Sequence, residues 1–184
     1  MFRGDDVKDE YGAPAVFQEM SASPAGVHSA NNTIAYGALP GHSCQTSDAV
    51  RAYIQSKLGS KHETWVLVPP ELRPAHWDMK RPMCRLDRAL YGHPESGAHW
   101  ERHLEAAVIK IGGEPVENFP SSYWFPGPRL LLTVYVDDLL LAGPDGQHEL
   151  MWKALLEKGI DLEDPEPLSR FLGRTHITEA AATK

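Results

Sequence analysis

The chain has 184 residues, 42% of them hydrophobic and 23% charged, which is ordinary globular usage and enough length to bury a real core as one domain. Its net charge of −7, from 25 acidic residues against 18 Lys and Arg, excludes a simple basic module that coats nucleic acid, though not an enzyme with a local basic groove. Cys44 and Cys84 form no CxxC pair, the opening MFRGDDVKDEYG has no signal-peptide core, and the longest apolar run is interrupted by Asp137 and Asp138 before it could span a bilayer. The expectation is a soluble, intracellular protein, cytoplasmic or nuclear, with no membrane partner.

Phe2 and Arg3, followed by Ala13 to Met20, read as a short strand or hairpin. Small and polar residues dominate from Ser21 to Ser47, which reads as irregular with a helix-compatible patch near Asn32 to Leu39. Ala49, Ala52, Tyr53 and Leu58 then fall at near-helical spacing behind Ser47 and Asp48, either of which can cap a first turn, so a short helix is expected from Asp48. Glu63 to Val68 reads as a strand closed by Pro69-Pro70, and Met83 to Tyr91 fits strand or helix equally. Trp100, Leu104, Ala107, Val108 and Ile111 mark an amphipathic helix ended by Gly112-Gly113. His148 to Lys158 is a second helix stopped by Gly159, and Phe171 to Ile177 reads as a strand. Strands and helices in mixed order suggest α+β with an antiparallel sheet.

The stretch Leu131 to Gly143, LLTVYVDDLLLAG, carries the chemistry. Two apolar strands meet at Asp137-Asp138, and burying adjacent carboxylates is costly unless something positive sits there, a divalent metal being the obvious candidate. The same residues also suit an ordinary hairpin, because Asp favours turns and solvent. His99 and His103 are four apart on one helix face, with His93 nearby, but no HExxH or cysteine pattern supports zinc, and no GxSxG supports a serine hydrolase.

Several blocks in order carry a family resemblance. Tyr135-Val136-Asp137-Asp138 with its trailing Leu-Leu-Ala-Gly resembles the catalytic hairpin of copia-type LTR retrotransposon reverse transcriptases. Asp48-Ala49-Val50-Arg51-Ala52-Tyr53-Ile54 is similar to the family block that carries the first catalytic aspartate. Arg85 to Gly92 followed by Trp100, the Glu63 to Val66 strand with Pro69-Pro70, and Phe171-Leu172-Gly173 resemble further family segments. The match runs from about Ser47 to His176.

The resemblance implies an RNA-directed DNA polymerase fragment of a copia-type Pol polyprotein, adding deoxynucleotides by two-metal phosphoryl transfer. Asp48, Asp137 and Asp138 would be catalytic and would bind two Mg2+ (or Mn2+) ions, with Asp138 contributing less as a direct ligand. Tyr53 would lie beneath the incoming sugar and exclude a 2′-hydroxyl, or else simply pack in the core. Ala52 would leave room for the sugar, Arg51 would meet the triphosphate or stay solvated, and Gly92 would let backbone approach nucleotide or template or merely make a turn. Tyr135 and Val136 complete the substrate-binding set. The implied partners are an RNA template, a DNA or RNA primer, deoxynucleoside triphosphates, and the thumb and RNase H domains of the parent polyprotein.

The implied fold is α+β: an antiparallel palm-like sheet with helices packed on one face, a partial fingers region and a thumb largely absent. Residues 1–46 are poorly recognised, with fingers-like as the candidate reading; 47–178 form the reverse transcriptase palm and fingers core; 179–184 are a disordered tail. Two departures stand out: Pro94-Glu95-Ser96-Gly97 occupies the place of a Lys-Gln-Ala-Pro pattern, and Gln55-Ser56 that of Asn-Gly. They sustain an alternative, a catalytically silent remnant acting at most as a nucleic-acid or protein binding scaffold.

Overall fold

The computed structural model describes residues 7–9, 11–15, 23–60 and 63–177. In chain order the elements are α1 (Val27–Gly37), β1 (His42–Asp48), α2 (Ala52–Gln55), β2 (Trp65–Leu67), β3 (Met83–Arg85), α3 (Ser96–Lys110) and β4 (Glu114–Pro115). They continue with β5 (Ser122–Phe125), β6 (Leu130–Tyr135), β7 (Asp138–Pro144), α4 (His148–Glu157), β8 (Glu166–Pro167), β9 (Arg170–Phe171) and β10 (Arg174–Thr175). The described residues fall into two compact units, one drawn from 1–21 and 53–100, the other from 22–52 and 101–184. Most of the strand or hairpin expected near the N-terminus, and the tail 179–184, lie outside the described residues. Among those residues no helix is long and apolar enough to cross a membrane.

The second unit is a six-stranded antiparallel sheet in the order β4-β5-β6-β7-β1-β8. Its centre is the β6–β7 hairpin, in which Leu130, Leu132, Leu139, Leu140, Leu141 and Ala142 are fully buried. A run buried at every position, rather than alternately, has to be covered on both faces. On one face Thr133, Leu140 and Thr46 stand in register. There α1 lays down small residues: Ala30 packs with Leu140, the Thr33 and Thr133 hydroxyls bond at 2.7 Å, and Tyr36 meets Trp124 edge to face. A Cβ at Gly37 would collide with the Cys44 sulfur, so the close approach of α1 to β1 requires glycine there. On the other face Gln45, Leu141, Leu132 and Tyr123 stand in register. Trp152 of α4 donates to the Gln45 side chain at 2.8 Å, and Val108 of α3 and Phe125 of β5 both crowd the bare Cα of Gly113. The helices therefore cover both faces of the sheet, which corrects the expectation of one face. The cause is the two-sided burial of β7.

Three local expectations also change. Asp48 ends a strand instead of opening a helix; the chain turns over the next residues, and α2 is a single turn. Residues 42–47, expected to be irregular, form a strand paired between β7 and the edge strand β8. Arg170 to Thr175 is a small hairpin turning at Leu172-Gly173, not one strand. Elsewhere the apolar periodicity holds: α3 and α4 lie where expected, each closed by a glycine at positive φ, Gly112 and Gly159.

The first unit contains the β2–β3 hairpin, in which Trp65 faces Arg85 and Leu67 faces Met83. Arg85 pairs with Glu63 and Asp87, each at 3.0 Å and exposed.

The core of the second unit predicts its own weak point. Leu140 is fully buried between Ala30 and Phe171, with Ile34, Cys44, Leu168 and Leu172 around it. Leu140→Ala is expected to cost about 2–5 kcal/mol, read as a fall in the denaturant midpoint at unchanged slope.

Candidate functional site

Tyr135 pairs with Asp138, so the β6–β7 connection is the two-residue turn Val136-Asp137. Such turns need positive φ at the first loop position and ordinarily place Gly, Asn or Asp there. Here Val136 adopts φ 56, a conformation that a β-branched side chain resists. The turn delivers Asp137 at the tip and Asp138 as the first residue of β7.

The third carboxylate arrives from a distant part of the sequence. Asp48 is the last residue of β1 and lies directly opposite Asp138 in the antiparallel register. Both point to the face that α1 covers further along the strands. The end of β1 is tied down on either side: Ala49 N donates to Asp137 O at 2.8 Å, Glu163 N donates to Asp48 O at 2.8 Å, and Val50 N donates to Asp161 O at 2.9 Å. The Ser47 hydroxyl donates to Glu163 O at 2.8 Å. Backbone pairing, not a local motif, sets Asp48 beside Asp138.

The electrostatics are those of a site built for positive charge. Burial, then the charges of Asp48 and Asp137, then a side-chain hydrogen bond with Asp48 push the Asp138 carboxyl from its ordinary 3.8 up to about 6. Asp138 therefore sits beside acidic neighbours, with no balancing charge among the described residues, an arrangement that a bound cation would relieve. Among the described residues no three His, Cys, Asp or Glu side chains converge into a ready cage for a metal; that holds for the three aspartates and for His93, His99 and His103. Magnesium does not need such a cage, since it is commonly held by one or two carboxylates plus phosphate oxygens and water. The facing carboxylates of Asp48 and Asp138 fit that role.

Of the remaining candidates, Tyr135 is 40% exposed beside the turn. Arg51 is exposed, in the turn after Asp48 at φ 51, and Ala52 is completely buried. Tyr53 and Gly92 belong to the first unit. There the Tyr53 ring lies 4.5 Å from that of Tyr91, tilted by 46°, and Gly92 takes φ 87. Sequence reasoning missed the anchors Ser47, Asp161 and Glu163, two of which act through backbone groups that no motif encodes.

An α+β sheet whose pairing sets carboxylates from two separate strands side by side defines a class of protein with an acidic site assembled by the fold. Residues 13–184 match the family described as "Reverse transcriptase (RNA-dependent DNA polymerase)", and the chain belongs to that family. Its curated relatives are Pol polyproteins of copia-type retrotransposons. The chain is 26% identical over 110 residues to the retrovirus-related Pol polyprotein from transposon TNT 1-94 of Nicotiana tabacum, covering 57% of this chain and 8% of that protein. It is 30% identical over 99 residues to the truncated transposon Ty1-A Gag-Pol polyprotein of Saccharomyces cerevisiae, covering 53% of this chain and 8% of that protein. The Ty1-DR5 Gag-Pol polyprotein of the same yeast matches equally, over 5% of its length. The chain thus spans under a tenth of the length of these relatives.

Two predictions follow from the geometry. The raised Asp138 pKa means that the folded state keeps a proton that the unfolded chain loses as pH rises, so this group destabilises the fold progressively from about pH 4 to pH 6 and fully above. Asp138→Asn is expected to stabilise the metal-free protein by about 1 kcal/mol at pH 7, after discounting for solvent screening, and by nothing near pH 3. Denaturation in EDTA at both pH values checks this; millimolar Mg2+ should raise the melting temperature of the unaltered chain more than that of the variant. Separately, Val136→Asn, which tolerates positive φ, is expected to relieve about 1 kcal/mol of turn strain, seen as a higher melting temperature.

Proposed function

We propose that the second unit is the catalytic palm of a copia-type RNA-directed DNA polymerase, with Asp48, Asp137 and Asp138 as its metal-binding triad. The observation that carries this reading is the register of β1 on β7, which sets Asp48 opposite Asp138 and one residue from Asp137. Two Mg2+ or Mn2+ ions, when bound, lower the pKa of a primer 3′-hydroxyl and neutralise the triphosphate.

The chain's own residues supply position and charge. Asp48 is fixed by the backbone bonds on both sides of β1, and Asp137 is offered at the tip of a tight turn, so neither carboxylate has to be ordered at the moment of reaction. Asp138, partly buried beside the other two carboxylates, acts as a nearby negative charge more than as a ligand. The resemblance assigns Arg51 to the triphosphate, Tyr53 and Ala52 to the sugar, Gly92 to nucleotide or template, and Tyr135 and Val136 to the substrate beside the hairpin. An RNA template with its DNA or RNA primer needs many phosphate contacts, and the thumb and RNase H domains of a parent polyprotein are the proposed source of the rest.

A silent remnant is the second reading, favoured by the loop after Gly92. His93 is buried, its Nδ1 accepting from Glu95 N at 3.3 Å and its Nε2 3.2 Å from the Thr64 hydroxyl, and Glu95 is 8% exposed. Desolvation lowers the His93 pKa, against the Glu95 charge, which raises it. A segment that in the family would face substrate is here turned into packing.

Primer extension on an RNA template at low salt with Mg2+ or Mn2+ separates the two readings. The polymerase reading expects extension that falls at least about a hundredfold in Asp137→Ala, with the fold retained by circular dichroism. A folded chain that extends no primer, with or without the substitution, establishes the remnant.

A further inference from the structure

After α4 the chain passes alongside β1 as a strap, Gly159 to Leu168, whose two ends are fixed in the core. Gly159 turns off the helix at φ 84 and Ile160 is fully buried, while Leu168 packs against the cluster of Ala30, Leu140 and Phe171. The strap carries β8, and it meets β1 in two registers. Thr46 stands opposite Glu166, but Ala49, three residues further on, stands opposite Leu162, four residues back. Between these pairs the strap therefore holds one residue more than β1, a bulge that falls at Glu163-Asp164-Pro165.

The bulge leaves the strap with few backbone bonds to β1. Leu168 N donates to Cys44 O at 3.1 Å on one side of it, and Glu163 N to Asp48 O at 2.8 Å on the other. Pro165 and Pro167 bring no N–H to the pairing. Among the described residues no backbone N–H donates to Glu163 O. The partner of that carbonyl is Ser47, a residue only 4% exposed, whose hydroxyl donates to it at 2.8 Å. Glu163 thus grips β1 at two successive residues, by its carbonyl at Ser47 and by its N–H at Asp48.

On the opposite edge of β1, Ala49 N donates to Asp137 O at 2.8 Å. Asp48 stands between the strap and the hairpin turn, at the end of its strand and facing the like charge of Asp138. A strand end in that position is the first part of the sheet to fray, and the Ser47 bond is the side-chain contact that opposes fraying on the strap side. We propose, resting on the palm reading, that Ser47 is a positioning residue: its hydroxyl fastens the bulged strap to β1 and so holds the Asp48 carboxylate beside Asp137 and Asp138 for a shared divalent cation. Ser47 acts through the backbone of Asp48 and not on the cation. Removing a partner that orients a metal ligand ordinarily weakens metal binding by about 10–100-fold, although one hydrogen bond adds little to the stability of the whole fold.

The test sets Ser47→Ala beside Ser47→Thr, which keeps the hydroxyl, and Val108→Ala, a core truncation on α3 outside the site. Amide hydrogen exchange in EDTA reads the strand end without metal. Ser47→Ala is expected to speed exchange at Ala49 and Glu163 about fivefold while Leu132 and Leu141 keep their protection, and Ser47→Thr should match the unaltered chain. Mn2+ affinity, read by water-proton relaxation, is expected to fall about tenfold in Ser47→Ala and to be kept in Ser47→Thr and Val108→Ala. Should Ser47→Ala fail to fold, Ser47→Cys, with a weak donor in place of the hydroxyl, is expected to show the same losses. Unchanged exchange at Ala49 and Glu163, equal Mn2+ affinity in Ser47→Ala, or an equal loss in Val108→Ala would overturn the positioning role and leave the palm reading standing. An unaltered chain that binds Mn2+ no more tightly than Asp137→Ala would overturn the palm reading and this proposal with it.

Discussion

The constraint on which this molecule depends is the two-sided burial of β7. Leu139 to Ala142 are inaccessible to solvent, and the strand is paired along its length with β6 on one edge and β1 on the other. Each buried leucine side chain contributes about 1.5–3 kcal/mol relative to exposure, but only if helices close both faces and neighbours satisfy the backbone. That requirement brings α1 to one face, brings α3 and α4 to the other, and recruits a strand from nearly a hundred residues upstream as the second neighbour. The apolar cover ends where β6 and β7 turn, and the carboxylates begin there. The acidic site is the open end of the most buried hairpin in the fold.

Much of this was legible in the sequence, and the part that was not shows where hydrophobic reading stops. The β6–β7 hairpin, α3 and α4 announce themselves because their partners are apolar, so period two or period 3.6 is written into the residues. The strand β1, His-Ser-Cys-Gln-Thr-Ser-Asp, announces nothing. Its inward positions are satisfied by hydrogen bonds instead of by burial of carbon: Ser43 to Asp145, Gln45 from Trp152, Ser47 to Glu163. A pattern search that equates strands with apolar alternation passes over it. The capping potential of Ser47 and Asp48 pointed to a helix because a side-chain oxygen ahead of Ala49 and Ala52 is a real local preference. Strand pairing with β7 outweighed it. Only the ordered family blocks tied Asp48 to the hairpin, and nothing in them encoded the backbone groups of Asp161 and Glu163 that hold it.

The same hydrogen-bonded strand explains how mutual repulsion is tolerated at the site. Asp48 and Asp138 face each other with Asp137 alongside, and burial, followed by those two charges, pushes the Asp138 carboxyl upward. Left to itself, the end of β1 would move away. A slip of one residue would turn every side chain of the strand to the other face and carry Asp48 off the face that holds Asp138. Ser43, Gln45 and Ser47 occupy alternate positions on the α4 side of the strand, and each makes a hydrogen bond that such a slip would break. At about 1 kcal/mol net for each, the three together match or exceed the residual repulsion of a half-solvated carboxylate pair. The polarity that hides β1 from a sequence reading is what pins its register. A more apolar strand would bury as well, yet could slide, and the aspartates would no longer meet.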